Sequence, residues 1–249
     1  MDADALFVSD VHLRADRPDI TAALLAFLAT QRGQVGAVYV LGDLFDLWVG
    51  DDADLPAWNE VADALAALSV AGTTVHLMHG NHDFLLGTDF LTRAQAVALA
   101  DPTPLRLGGT RVLLSHGDML CTDDHDYQAF RAQIRAPQTL AALAAVPVEK
   151  RRQLGAQIRA RSVVATAHKP HAAMDVNAQA ARSALAMHDA AVLVHGHTHR
   201  PGIYALDAPG AAPARRIALG SWEDGPCALW WSSQGCWRAL GIPGVAPAP

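Results

Sequence analysis

Ala37-Val38-Tyr39-Val40-Leu41-Gly42-Asp43-Leu44-Phe45-Asp46 is an apolar run of strand length that ends abruptly in a glycine and a carboxylate. A short run rich in branched side chains and bounded by a turn residue predicts a buried strand. The polar ending then puts a charged group where the strand stops. The pattern recurs along the chain. Ala5 to Val8 leads into Ser9-Asp10-Val11-His12, and Thr74 to Met78 into Gly80-Asn81-His82-Asp83. Arg111 to Ser115 leads into His116-Gly117-Asp118, and Ala190 to Val194 into Gly196-His197-Thr198-His199. Chemistry-bearing groups therefore gather where the strands end, which is where sheet-based α/β enzymes keep their sites.

Between the first two runs, Asp19 to Gln31 carries Ile20, Leu24, Leu25, Phe27 and Leu28 at helical spacing, and Trp58 to Val70 does the same before the third. Strand, helix, strand repeats imply crossovers and a layered α/β fold. Arg215 to Leu219 and Cys227 to Trp231 are expected to add strands to a second sheet, giving a β-sandwich flanked by helices. Leu120 to Asp189 breaks this rhythm. It is rich in alanine and other helix formers, and it predicts a helical insertion, about residues 120–189, within a single domain spanning 1–242. The insertion carries nine Lys or Arg against six Asp or Glu, about +3, which leaves the rest of the chain near −9 from a total of −6. An ordinary solvated helical surface explains that excess as readily as a functional one. Pro243 to Pro249 is expected to be a frayed tail.

Composition narrows the function classes. With 249 residues, 51% hydrophobic and 18% charged, the chain suits one globular domain with a substantial core. The negative balance argues against a nucleic-acid binder that works by neutralising phosphates over its surface. Cys121, Cys227 and Cys236 cannot all pair and show no Cys-x-x-Cys spacing, so a reducing compartment is expected. The N-terminus Met1-Asp2-Ala3-Asp4 is acidic and its apolar run is too short for a signal peptide. No uncharged apolar stretch reaches the roughly 18 residues that span a bilayer. The expected location is the cytoplasm, with any membrane contact peripheral, and no protein partner is indicated.

A lone Asp-x-His or His-x-His occurs by chance, but five such motifs at successive strand ends form a set. Carboxylate, amide and imidazole donors without thiolate suit manganese, iron, magnesium or zinc in a mixed nitrogen and oxygen site, manganese first. Two cations about 3.5 to 4 Å apart need a bridging carboxylate, and Asp43 can supply it.

The motif set resembles the calcineurin-like metallophosphoesterases. That resemblance implies one divalent cation held by Asp10, His12, Asp43 and His199, and a second held by Asp43, Asn81, His116 and His197. Together the pair would activate a water and bind phosphoryl oxygens. Asp46 and Asp83 would support the ligands rather than join them. Longer strings narrow the resemblance: Leu41 to Asp52, Gly80 to Gly87, His116 to Asp124 with Tyr127 to Arg131, and Met174 to Asn177. From about Leu6 to Trp222 the chain is similar to the UDP-2,3-diacylglucosamine pyrophosphohydrolases of lipid A synthesis. The similarity implies attack at the α-phosphorus of UDP-2,3-diacylglucosamine, giving UMP and 2,3-diacylglucosamine 1-phosphate. It implies substrate contacts from Asn81, His82, Asp124, Tyr127, Ser162, Thr166, Lys169 and His197, with Asn81, His82, His116 and His197 at the catalytic step. It also implies a peripheral place on the cytoplasmic face of the inner membrane, with the insertion acting as a lid over an apolar cleft. Trp48, Phe84, Leu85 and Leu86 are candidates for the cleft floor or for plain core.

His82 departs from the pattern, because the best-known members carry Arg after the motif's Asn while the wider superfamily has His. The expectation is that His82 contacts the phosphate as the Arg would. Two other readings remain open. One is a related phosphoesterase acting on a soluble nucleotide or phosphoester, which needs no apolar cleft. The other is a non-catalytic interaction module, whose mark would be a replaced ligand, whereas all seven ligand positions are filled.

Overall fold

Residues 4–167, 169–207 and 213–244 are described by the computed structural model. Two sheets form. The first has strand order β11-β10-β1-β2-β3-β4, built from β1 (Ala5–Val8), β2 (Ala37–Leu41), β3 (Thr74–Met78), β4 (Ala96–Leu99), β10 (Ala228–Trp231) and β11 (Trp237–Leu240). The second has order β5-β6-β7-β9-β8, built from β5 (Thr103–Leu107), β6 (Thr110–Ser115), β7 (Val192–His195), β8 (Gly202–Ala205) and β9 (Arg215–Ala218). The runs that the sequence predicts as buried strands occupy the interior of both sheets. Ala5 pairs with Ala37 and Ala37 with Thr74 in parallel register, and Val112 pairs with Val192 likewise. Parallel neighbours need crossovers, which α1 (Pro18–Gln31) and α3 (Asn59–Val70) provide in the first sheet. Between them lie α2 (Asp51–Asp54) and a 3-10 turn, and α4 (Thr88–Arg93) precedes β4.

Side chains of both sheets enter one buried cluster, in which Leu6, Val38 and Val75 meet Leu114, Val194 and Ile217. Alternate residues of the second sheet face outward. Leu113 and Leu193 pack with Leu120, Val176, Ala181 and Leu185 in a smaller core. Ala181 and Leu185 belong to α8 (Ala178–Met187), so this helix covers the second sheet. The helices α5 (His125–Ile134), α6 (Pro137–Ala144) and α7 (Val148–Ala167) stand outside both cores. Among the described residues no strand falls between Leu120 and Asp189.

One sheet assignment is corrected. The run Cys227 to Trp231 forms β10 in the first sheet, antiparallel to β1 with Leu229 opposite Phe7, and only the run at Arg215 joins the second. The cause is local: Trp222 N–H donates to Asp10 O at 3.1 Å, which delivers the chain to the C-terminal end of β1, and from there it can only run back. The unpredicted strands β4, β5, β8 and β11 are the four sheet edges. In β5, β8 and β11 polar or turn residues interrupt the apolar run that marks an interior strand, whereas β4 is apolar throughout but half-exposed. Of the expected tail, Pro243 and Gly244 form a turn, while 245–249 lie outside the described residues, as does the start of the acidic N-terminus, 1–3.

Leu114 is fully buried in the shared core. Leu114→Ala is expected to lower unfolding free energy by about 2–5 kcal/mol in urea titrations, whereas a loss under about 1 kcal/mol would mean that the sheets do not share one packed interior.

Candidate metal centre

β1, β2 and β3 run parallel, as do β6 and β7, so Asp10, Asp43, Asn81, His116 and His197 all follow the C-terminal ends of strands. The turns there are strained. Asp10 (φ 53°), His12 (52°), Asp43 (53°), His197 (65°) and His199 (53°) all lie in the left-handed region, five of the seven non-glycine residues that do so among those described. Such strain costs of order 1–3 kcal/mol per residue and persists where the surroundings over-determine it. Here His12 N–H donates to Asp43 O (3.0 Å), His197 N–H to the Asp10 carboxylate (3.0 Å) and His82 N–H to Asp43 Oδ1 (2.8 Å). Asp83, fully buried, takes the amides of Gly80 (2.7 Å) and Leu44 (2.8 Å) and ties two of the turns together. Gly80 and Gly196 allow the close approach, because a Cβ would meet Asp43 Oδ1 at 2.0 Å or Ser9 Oγ at 1.9 Å.

The geometry brings all seven sequence-predicted ligands together. His12 Nε2 lies 3.1 Å from His199 Nε2, and His199 Nε2 lies 3.5 Å from Asp10 Oδ1. Asn81 Oδ1 is 2.8 Å from His197 Nδ1 and 3.0 Å from His116 Nε2, and His116 Nε2 is 3.5 Å from Asp43 Oδ2. Candidate ligand atoms form three groups, Asp10-His12-His199, His12-Asp43-His82 and Asp43-His116-His197, so Asp43 lies between the two ends of the site. Two imidazole nitrogens at 3.1 Å, like the carbonyl and ring nitrogens around Asn81, converge lone pairs that only a proton or a cation can reconcile. The hard oxygen and imidazole donor set fits divalent cations.

Charge balance agrees with this. Burial pushes the Asp10 carboxyl up, but His199, His116 and His12 outweigh it and hold it well below the usual carboxylate range. Asp43 is likewise lowered against its burial by His116, His82 and His12. Burial would lower His116, yet the carboxylates of Asp43, Asp118 and Asp10 raise it to about 9. Burial, reinforced by the charge of His116, pushes His197 down to about 4. His116 Nδ1–H donates to Leu41 O at 2.9 Å, which turns Nε2 toward Asn81 and Asp43.

His82 packs edge-on against His12, with ring centroids 4.9 Å apart, and its Nδ1–H donates to Asp46 O at 2.8 Å. Asp46 Oδ1 lies 3.6 Å from His12 Nδ1. Beside the centre opens a cleft of about 330 Å3 between the sheet body and α5–α7. Of the predicted substrate contacts, Asn81, His82, Asp124, Tyr127, Ser162, Thr166 and Lys169 line it, and His197 does not. Some of these are already engaged. Lys169 pairs with Asp124, Thr166 Oγ1 donates to Ser162 O on its own helix, and Tyr127 O–H donates to Asp118 Oδ2 (2.7 Å) while its ring stacks on His197. Trp48, Phe84 and Leu85 line the cleft, joined by Phe130, Leu154 and Ile158. Leu86 does not line it and is core only.

The sequence left the arginines of the insertion unassigned. Arg151, buried, donates to Val49 O and pairs with Asp52, Arg152 donates to Ala53 O (2.8 Å), and Arg159 pairs with Asp46 (2.6 Å). On α5, Arg131 pairs with Asp118 (2.7 Å) and Arg135 donates to Gly80 O (2.7 Å). The signal was present as an acid-rich loop at 46–54 and a basic stretch at 150–161, but nothing in the sequence joins the two.

A model of the calcineurin-like phosphoesterases matches residues 4–201, and the chain belongs to that family. Within it, the relatives are specific. The chain is 46% identical to the UDP-2,3-diacylglucosamine hydrolase of Marinobacter nauticus, over 91% of each chain. It is 48% identical to that of Aeromonas hydrophila, over 87% of this chain and 90% of the relative, and 44% identical to one from Escherichia coli, over 88% and 90%.

With His116 raised to about 9, the metal-free site holds a proton there at neutral pH, and a cation must displace it. Manganese titrated into metal-free protein is expected to release protons in calorimetry across buffers of different ionisation enthalpy. Its affinity is expected to fall as pH drops from 9 to 7. Uptake without proton release, or with affinity flat over that range, would contradict the arrangement.

Proposed function

We propose that this protein hydrolyses the pyrophosphate bond of UDP-2,3-diacylglucosamine at the α-phosphorus, giving UMP and 2,3-diacylglucosamine 1-phosphate. One observation carries the reading: an apolar cleft opens directly on Asn81 and His82, so acyl chains lodged there would hold their phosphate at the candidate metal centre. A soluble phosphoester would have no use for Phe130, Leu154 and Ile158 lining that cleft. Two divalent cations, manganese first, would be held by Asp10, His12, Asp43 and His199 and by Asp43, Asn81, His116 and His197. When bound, they supply Lewis-acid activation of water and of the phosphoryl group.

The remaining work falls to the chain. His82, whose Nδ1 lies 2.8 Å from the Asp46 carbonyl, has Nε2 left to meet a phosphoryl oxygen. Lys169 and Asp124, paired across the cleft, position the sugar phosphate, with the ammonium facing the anion and the carboxylate a hydroxyl or amide N–H. Ser162 adds a neutral hydrogen bond. Access from an anionic membrane surface is supported by Val163, 60% exposed beside Arg161 on α7. Among the described residues no helix is long and apolar enough to cross a membrane.

Purified protein with manganese should release UMP rapidly from UDP-2,3-diacylglucosamine and at most slowly from UDP-glucosamine or an aryl phosphodiester, with products resolved by mass. Equal rates on all three would remove the lipid from the reading. For His82, the Ala variant should lose roughly tenfold to a thousandfold in turnover, as for removal of one charge-stabilising donor, while the Arg variant retains most activity. An Arg variant as inactive as the Ala variant would make His82 an obligatory proton donor.

A further inference from the structure

A second cavity, also about 330 Å3, lies on another side of the molecule, and its lining residue Arg14 is two residues from the candidate ligand His12. The acyl cleft contributes Arg159, whose Nη2 lies 2.6 Å from Asp46 Oδ1, and this second cavity contributes Arg14, whose Nη1 lies 3.9 Å from the same oxygen. Asp46 Oδ1 is in turn 3.6 Å from the candidate ligand His12, and Arg14 follows His12 by two residues. One arginine from the lining of each cavity thus approaches the same carboxylate, yet the linings differ. The second is lined by Arg14, by Thr21, Ala22 and Leu25 of α1, and by Trp58 and Glu60 at the start of α3.

We propose that this cavity is the subsite for the uridine 5′-phosphate half of the substrate, an inference that rests on the reaction proposed above. A substrate cleaved at its pyrophosphate must extend in two directions from the metals, and its halves are chemically unlike. The apolar cleft suits the diacyl half. The other half is a planar base, a ribose with vicinal hydroxyls and a phosphate. The Trp58 ring is half-buried and braced against Phe45, with centroids 5.3 Å apart, so it offers a fixed face on which a pyrimidine can stack. Thr21 and Glu60 supply the donor and acceptors that ribose hydroxyls need. The Arg14 guanidinium is steered by Glu223 (2.7 Å) and Asp16 (3.2 Å), and it would give the α-phosphate a charge-assisted hydrogen bond. The cavity falls within the roughly 300–1,000 Å3 typical of small-molecule sites.

Calorimetric titration of the manganese-loaded protein with UMP, uridine and 2,3-diacylglucosamine 1-phosphate tests this. Ala22 is exposed on α1 and lines the cavity, so Ala22→Tyr fills it without disturbing the core. Ala22→Tyr should weaken UMP and uridine at least tenfold and leave the lipid phosphate within threefold. Arg14→Met should weaken UMP at least tenfold while uridine binds as before. UMP affinity unchanged in both variants would overturn the subsite, as would UMP lost on narrowing the acyl cleft with Leu154→Trp but kept in Ala22→Tyr. The reaction is judged separately, by whether the wild type releases UMP from UDP-2,3-diacylglucosamine. Turnover with unaltered UMP binding in the variants sinks the subsite alone. The expected binding pattern without turnover sinks the reaction and leaves a uridine nucleotide site. A wild type that neither turns over nor binds UMP sinks both.

Discussion

Two buried carboxylates facing a cluster of imidazoles are the constraint on which this molecule is organised. Asp10 and Asp43 have essentially no exposure, and ions taken out of water are tolerated only when opposite charge and hydrogen bonds replace it. Every device near them serves that replacement. The left-handed turns aim backbone amides at carboxylate oxygens, and glycines let neighbouring chain come within reach. His199, His116 and His12 hold Asp10, and His116, His82 and His12 hold Asp43, below the usual carboxylate range against their burial. The same arrangement leaves converging lone pairs that a divalent cation would satisfy better than protons.

A second electrostatic relation places the cover over this centre. The body is near −9 and the insertion about +3, and the structure spends that difference on specific pairs. Arg151, Arg152 and Arg159 of α7 grip the loop from Asp46 to Asp54, while Arg131 and Arg135 of α5 grip Asp118 and Gly80. Apolar packing contributes little here. Among the described residues of α5, α6 and α7, Arg151 is the one fully buried side chain. A cover held by ion pairs and backbone contacts opens at lower free energy than an element in the core. The helix α8 differs, because Ala181 and Leu185 root it in the second sheet.

Asp46 shows how one side chain can join these parts. It approaches His12 Nδ1, on the side of the ring away from the other candidate ligands, pairs with Arg159 from the cover, and lies within 4 Å of Arg14 from the loop after β1. It lies beside a candidate ligand and is approached by one arginine from each of two cavities of different chemistry.

The sequence by itself determined the interior strands and the ligand set. β1 and β7 are buried throughout, β2, β3 and β6 are buried toward their C-terminal ends, all five are largely apolar, and each ligand motif follows the end of one of them. A local pattern suffices wherever a side chain's surroundings are set by its immediate neighbours. Tertiary structure alone decided the rest. The edge strands β5, β8 and β11 mix polar or turn residues into their runs, β4 is apolar but never fully buried, and β10 took its sheet from a hydrogen bond between Trp222 and Asp10, 212 residues apart in the chain. The arginines of α5 and α7 looked like a solvated surface until folding set Arg151 against Val49 and Asp52, about a hundred residues away. Which cation meets which carbonyl or carboxylate depends on how separate elements pack, and that relation has no signature within a window of sequence.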